Sequence, residues 1–166
     1  PIDKRDHYVK RCVGVSGDVI EVIDGMLYVN NERAIDPENI QYKYELKNTI
    51  LSSPLLEKYG VNESYNGPNG NQNLTLTFNE ADKLKEKGFD ISRNINKKGN
   101  GLSHIYPYKP KAFPWNEDHY GPIQIPKKGW TIELNGKNIA LYKRCIEAYE
   151  GNKLRVKGGK VYINDN

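Results

Sequence analysis

The sequence predicts a mainly β protein with an α+β lobe inserted into the β framework. Two hairpin patterns frame the chain. Residues 19–23 and 26–30 alternate apolar and polar side chains around Asp24-Gly25, a strong signal for a tight hairpin. Near the far end, Leu154, Val156, Tyr162, Ile163 and Asn164 repeat Ile20, Val22, Tyr28, Val29 and Asn30 at one constant spacing. Gly158-Gly159 stands at that second turn. Shared turn chemistry accounts for the likeness, which is no repeat array. The 12 tyrosines suit half-buried β surfaces.

Ahead of the first hairpin, residues 8–13 read as a strand. Tyr8, Lys10 and Cys12 would then share one face, and Val9, Arg11 and Val13 the other. Gly14, Ser16, Gly17 and Asp18 follow as turn formers. Lys10 thus falls in mid-strand among apolar neighbours. Three states are open to it: solvated, paired with a carboxylate, or held neutral as a base.

The middle of the chain has a different texture. A strand is predicted over 40–46. Ser53-Pro54 opens a short helix over 54–59, which Gly60 ends. Residues 62–73 read as an Asn- and Gly-rich loop, and 74–78 as a strand. Asn79 is placed to cap a helix over 80–87, ended by Gly88. A strand over 89–95 and a polar loop over 96–101 follow. Five prolines between Tyr106 and Pro126 make that stretch extended. Residues 130–134 read as a strand. Residues 138–150 form the best helical pattern, with Ile139, Tyr142, Ile146 and Tyr149 on one face. The resulting divisions are 1–33 as part of the β core, 34–111 as the inserted lobe, and 112–166 as the return to the core.

Composition narrows the function. Hydrophobic residues are 37% and charged residues 28% of 166, a polar but globular balance. A net charge of +4, evenly mixed with acids, gives no ground for nucleic-acid binding. No apolar run approaches the length that crosses a bilayer, so the segment reads as soluble. Cys12 and Cys145 do not make a disulfide scaffold and read as buried free thiols, although one bridge would be possible in an oxidising compartment. His7, His104 and His119 lack metal-ligand spacing, so no metal is implied.

The run Lys10-Arg11-x-x-Gly14-x-x-Gly17-Asp18 resembles the lysine-bearing box of the type I signal peptidases. Residues 3–9 and 19–30 are similar to that family as well, especially its Bacteroidetes-like members. Ser16 departs from the pattern, which usually has proline there. The segments WNEDHYGPIQIPKKG and IALYKRCIEAYEGN resemble the extra extracytoplasmic lobe of those enzymes. The resemblance implies a membrane-anchored serine endopeptidase with a Ser-Lys dyad. It would remove signal peptides from exported preproteins at the outer, periplasmic face of the cytoplasmic membrane, and it would need no cofactor. Its partners would be preproteins and the bilayer surface.

Carried over, Lys10 is the general base. A free lysine has a pKa near 10.4, so only about one in a few thousand is neutral at pH 7. Burial away from carboxylates lowers that value; arginine offers no such route. Tyr8 and Val9 would line the substrate cleft by strand pairing. Arg11, Gly14, Gly17 and Asp18 would be structural.

The nucleophile is missing. The family's serine precedes a methionine, whereas the only methionine here, Met26, follows Gly25. Ser16 reads as a turn residue: Asp18 stands where a G-x-S-x-G elbow needs glycine. Tyr142-Lys143-Arg144-Cys145 repeats the letters of the box without its glycines and reads as helix surface. A G-D-N-R-x-x-S box is also absent. The expectation is therefore an excised middle segment, inactive alone. Two alternatives remain: a noncatalytic relative that binds protein or peptide, and a secreted β-rich module for carbohydrate or surfaces.

Overall fold

The computed structural model describes residues 9–165. In chain order the elements are β1 (Val19–Ile23), β2 (Met26–Val29), β3 (Glu32–Arg33), β4 (Tyr42–Leu46), α1 (Ser53–Lys58), β5 (Glu63–Asn66), β6 (Gln72–Leu76), α2 (Phe78–Glu86), β7 (Ile91–Arg93), β8 (Tyr120–Gln124), α3 (Ile139–Arg144), β9 (Leu154–Lys157) and β10 (Lys160–Ile163). A single π-helical turn, Cys145–Tyr149, continues α3. The strands form three antiparallel sheets, ordered β3-β2-β1-β8, β5-β6-β4-β7 and β9-β10. The protein is mainly β, as the alternation predicts. Among the described residues no helix is long and apolar enough to cross a membrane.

Contacts divide the chain into two units. One is Ala34–Lys97; the other joins the described parts of Pro1–Arg33 and Lys98–Asn166. Residues 98–111, placed by the sequence reading in the inserted lobe, fall in the second of these.

Ala34–Lys97 is organised by its apolar faces. In β4, Tyr42, Tyr44 and Leu46 alternate inward and are buried; in β6, Leu74 and Leu76 do the same. Registers Tyr44↔Leu74 and Leu46↔Gln72 set these faces side by side. Ala81 and Leu84 of α2 are fully buried. The start of α2 is fixed by a capping box. The Thr77 hydroxyl accepts from the Glu80 N–H (3.3 Å), and the Glu80 carboxylate accepts from the Thr77 N–H (2.8 Å). Thr77, not Asn79, is the cap. β5 lies within the predicted Asn/Gly loop: four exposed residues, legible only through pairing with β6.

In the other unit the hairpin β1–β2 stands where Asp24-Gly25 predicts it. Both turn residues take positive φ (51° and 74°), as a two-residue primed turn requires. Strand β8 pairs with β1 from within the proline-rich stretch, across an irregularity between Ile20 and Val22. The predicted strand over 130–134 is not formed: these residues join no sheet, and Trp130 stacks under the Lys127 ammonium (4.9 Å) instead. The predicted 138–150 helix is realised as α3 and its π turn, with Ile146 buried. Both cysteines are free, as expected, but exposed rather than buried. Cys12 precedes the sheet, and Cys145 lies away from the face that buries Ile146.

Candidate active site

The glycines and aspartate of the lysine box build one turn. The Asp18 N–H donates to the Val15 carbonyl oxygen (3.0 Å), closing a four-residue turn with Gly17 at its third position, φ 99°. That angle at that position defines a type II turn, in which glycine is favoured third and proline second. Ser16 occupies the second position and fits it without the preset of a proline ring. Gly14 is closely packed: a Cβ there would lie 2.5 Å from Ile20 Cδ1 and 3.1 Å from Ile125 Cδ1, so those side-chain ends would have to shift.

Asp18 locks the turn to the hairpin. Its Oδ2 accepts from the Val15 N–H (2.8 Å), and its Oδ1 accepts from Asn30 Nδ2 (2.9 Å). These two bonds, the backbone one first, hold the Asp18 carboxyl below its ordinary pKa. Asn30 in turn accepts the Val19 N–H on Oδ1 (2.9 Å), and its own N–H donates to the Val19 carbonyl oxygen (2.8 Å). The turn is also tied past β8. The Gly17 N–H donates to the Ile125 carbonyl oxygen (2.9 Å), and the Ile125 N–H donates to the Asp18 carbonyl oxygen (2.8 Å). Asn30 is the site residue that motif reasoning missed. Its signal was available: Asn30 and Asn164 are counterparts in the two hairpin patterns.

The first half of the box is different. Tyr8 lies outside the described residues. Val9 is 94% exposed and so lines no cleft among the described residues. Lys10, Arg11, Cys12 and Val13 are exposed, and residues 9–15 form no strand. The expected mid-strand lysine with apolar neighbours is therefore corrected. Alternation alone does not make a strand; a ladder partner does, and no described strand pairs with 9–13. The Cys12 thiol instead donates to the Gly14 carbonyl oxygen (3.2 Å). The structure thus brings Gly14, Gly17 and Asp18 together and leaves Lys10 and Arg11 at the surface. The burial that a neutral-lysine base calls for is not supplied by the described residues.

A second cluster stands at the hairpin tip. His119 Nε2 lies 3.4 Å from Asp24 Oδ1, with the His119 side chain only 12% exposed. The fully buried Asn116 orients it, accepting the N–H groups of Asp118 (3.0 Å) and His119 (2.8 Å) on Oδ1. Trp115 stacks on Tyr120 at 4.7 Å and on Phe113 at 4.8 Å. Burial pushes the Tyr120 phenol up to about 12. A cleft of about 270 Å3 opens beside Glu21, Trp115, His119 and Tyr120. Among the described residues no Ser, Thr or Cys lines it. The His119–Asp24 pair pins the hairpin tip, as does the Gly25 N–H donating to the Asp118 carbonyl oxygen (2.9 Å). Among the described residues no three His, Cys, Asp or Glu gather to hold a metal ion.

Residues 1–94, more than half of the chain, match the signal peptidase, peptidase S26 family. The match spans the lysine box, the first hairpin and most of the Ala34–Lys97 unit. The chain belongs to that family. A search of curated proteins returned no match, and neither did a search of solved structures.

Proposed function

We propose that this chain supplies the base-bearing segment of a Ser-Lys endopeptidase that removes signal peptides from exported preproteins. Lys10 is the general base. Tyr8 and Val9 line the cleft for the residues before the cut once the serine-bearing segment and the substrate strand pack against this stretch. Gly14, Gly17 and Asp18 fix the distance and direction from Lys10 to the sheet. The enzyme acts at the outer face of the cytoplasmic membrane, with preproteins as substrates and the bilayer surface as neighbour.

The observation that carries this reading is the lysine box inside the family match, with its turn built bond by bond around Asp18. The exposure of Lys10 adds a requirement: the serine-bearing segment and the bound substrate strand must cover it to favour the neutral amine. The sequence contains no serine followed by methionine, so the chain alone is inactive. The rings of Tyr42 and Tyr44 are buried and those of Tyr106 and Tyr120 half-buried, whereas Tyr65, Tyr108 and Tyr149 are exposed.

Incubating the purified chain with a signal-peptide substrate tests the inactive state. No cleavage is expected; turnover that Lys10→Ala abolishes would refute it.

A further inference from the structure

The two hairpins share more than turn chemistry. The Lys153 N–H donates to Asn164 Oδ1 (2.9 Å), and the Asn164 N–H donates to the Lys153 carbonyl oxygen (2.9 Å). Asn164 Nδ2 donates to Asn152 Oδ1 (2.8 Å). Residue for residue, this is the clamp of Val19, Asn30 and Asp18. The following pairs agree as well: Asn30 and Asn31 have φ of 53° and 67°, and so do Asn164 and Asp165.

The hairpins differ at the outer edge of their first strand. β1 is paired there by β8. Among the described residues β9 pairs with β10 alone. Lys157 and Lys160 close the second turn. The closing pair of a two-residue turn exchanges hydrogen bonds, and the pattern alternates along the ladder. The backbone N–H and C=O groups of Leu154 and Val156 therefore face the open edge, as those of their counterparts Ile20 and Val22 face β8.

A groove of about 350 Å3 lies beside that edge. Ala112, Ile139, Ala140, Leu154 and Val156 give it an apolar floor, and Lys109, Lys137 and Lys143 stand around it. On the opposite face of β9, Arg155 and Lys157 are exposed. Two acids touch this basic surface: Asp165 meets Arg155 at 3.1 Å, and Glu147 approaches Lys143 at 3.8 Å.

We propose that the β9 edge is a peptide-docking site that adds an extended segment of alternating apolar and acidic residues as a strand. The apolar side chains enter the groove beside Leu154 and Val156. The carboxylates fall across from Arg155 and Lys157. Backbone pairing supplies affinity, and alternation with charge supplies selection. The site is separate from the lysine box and does not depend on Lys10.

The test is fluorescence anisotropy of the full chain with a labelled Glu-Val-Glu-Ile-Glu-Val peptide. Binding is expected, and it should weaken with added salt. Arg155→Glu with Lys157→Glu should lower affinity by about tenfold. A peptide N-methylated on alternate backbone nitrogens, with its side chains kept, should not bind. Equal binding of the N-methylated peptide would overturn strand addition. Equal binding of a Lys-Val-Lys-Ile-Lys-Val peptide would overturn the charge selection, and no binding at all would overturn the site. A chain dimer in sedimentation that Val156→Pro splits would assign the edge to a second copy instead.

Discussion

Ala34–Lys97 and the unit carrying the lysine box are held together by different interactions. The first buries Tyr44, Leu46, Leu74, Leu76, Ala81 and Leu84 between its sheet and α2. In the second, β1 and β2 are only half-buried throughout, and Pro107, Phe113 and Ile146 are its buried apolar residues among those described. Its order comes from side chains that bond to backbone: Asp18, Asn30, Asn116 and Asn164 each fix a turn or a strand end. Apolar burial is non-directional and tolerates small shifts, whereas hydrogen bonds fix direction. The unit that carries the lysine box is built on the directional kind.

The largest effect that tests this contrast is in the apolar unit. Leu84→Ala should lower the unfolding free energy by about 3 kcal/mol, read by far-UV circular dichroism in urea. A loss below about 1 kcal/mol would mean that the core of Ala34–Lys97 is less tightly packed than its burial indicates. Next comes Asn30→Ala, which removes the two side-chain hydrogen bonds of the clamp and puts alanine at φ 53°. A cost of about 2 kcal/mol is expected. Both tryptophans, Trp115 and Trp130, lie in that unit, so their fluorescence reports it.

Asn164→Ala removes the counterpart bonds but should cost only about 1 kcal/mol, because a two-stranded hairpin can fray locally. Equal losses from the two asparagines would show that flanking strands add nothing to the first clamp.

The smallest effects are in pH. The Asp18 pKa is depressed, so its contribution is present above the ordinary carboxylate value and is lost as pH falls through its own lower one. Asp18→Asn should flatten the acid limb of the tryptophan transition and leave the Ala34–Lys97 unit unchanged. The alkaline limb should not separate the units. Burial raises Tyr44 in one and Tyr106 and Tyr120 in the other. For Tyr120 the neutral phenol is favoured, so its contribution is lost as pH rises from about 10 to about 12, and Tyr120→Phe removes that loss.

The hairpins were legible because Asp24-Gly25 and Gly158-Gly159 carry their turn geometry in local residue types. Helix α2 was legible in place, but its cap was displaced by two residues because Thr77-x-x-Glu80 is recognised as a reciprocal pair, not as one Asn before a helix. Strands β5 and β8 were not legible. The four residues of β5 are exposed and carry no alternating burial, and β8 contains Pro122 and is defined by its register with β1. In the candidate site, Gly17 and Asp18 could be read from turn chemistry. The close packing at Gly14 could not, since it comes from the Ile20 and Ile125 side chains approaching its backbone. The strand expected around Lys10 failed for the same reason that β5 was missed: pairing is a property of two segments, and one segment's alternation does not reveal it.

The central claim is that Lys10 is the base of a signal-peptide endopeptidase. The most direct measurement is processing of a signal-peptide-bearing preprotein by the complete gene product, native and with Lys10→Ala. A loss of roughly a thousandfold or more in kcat with the variant, and no rescue by Lys10→Arg, is the predicted result. Retained processing by Lys10→Ala would contradict the account and remove Lys10 from the chemistry.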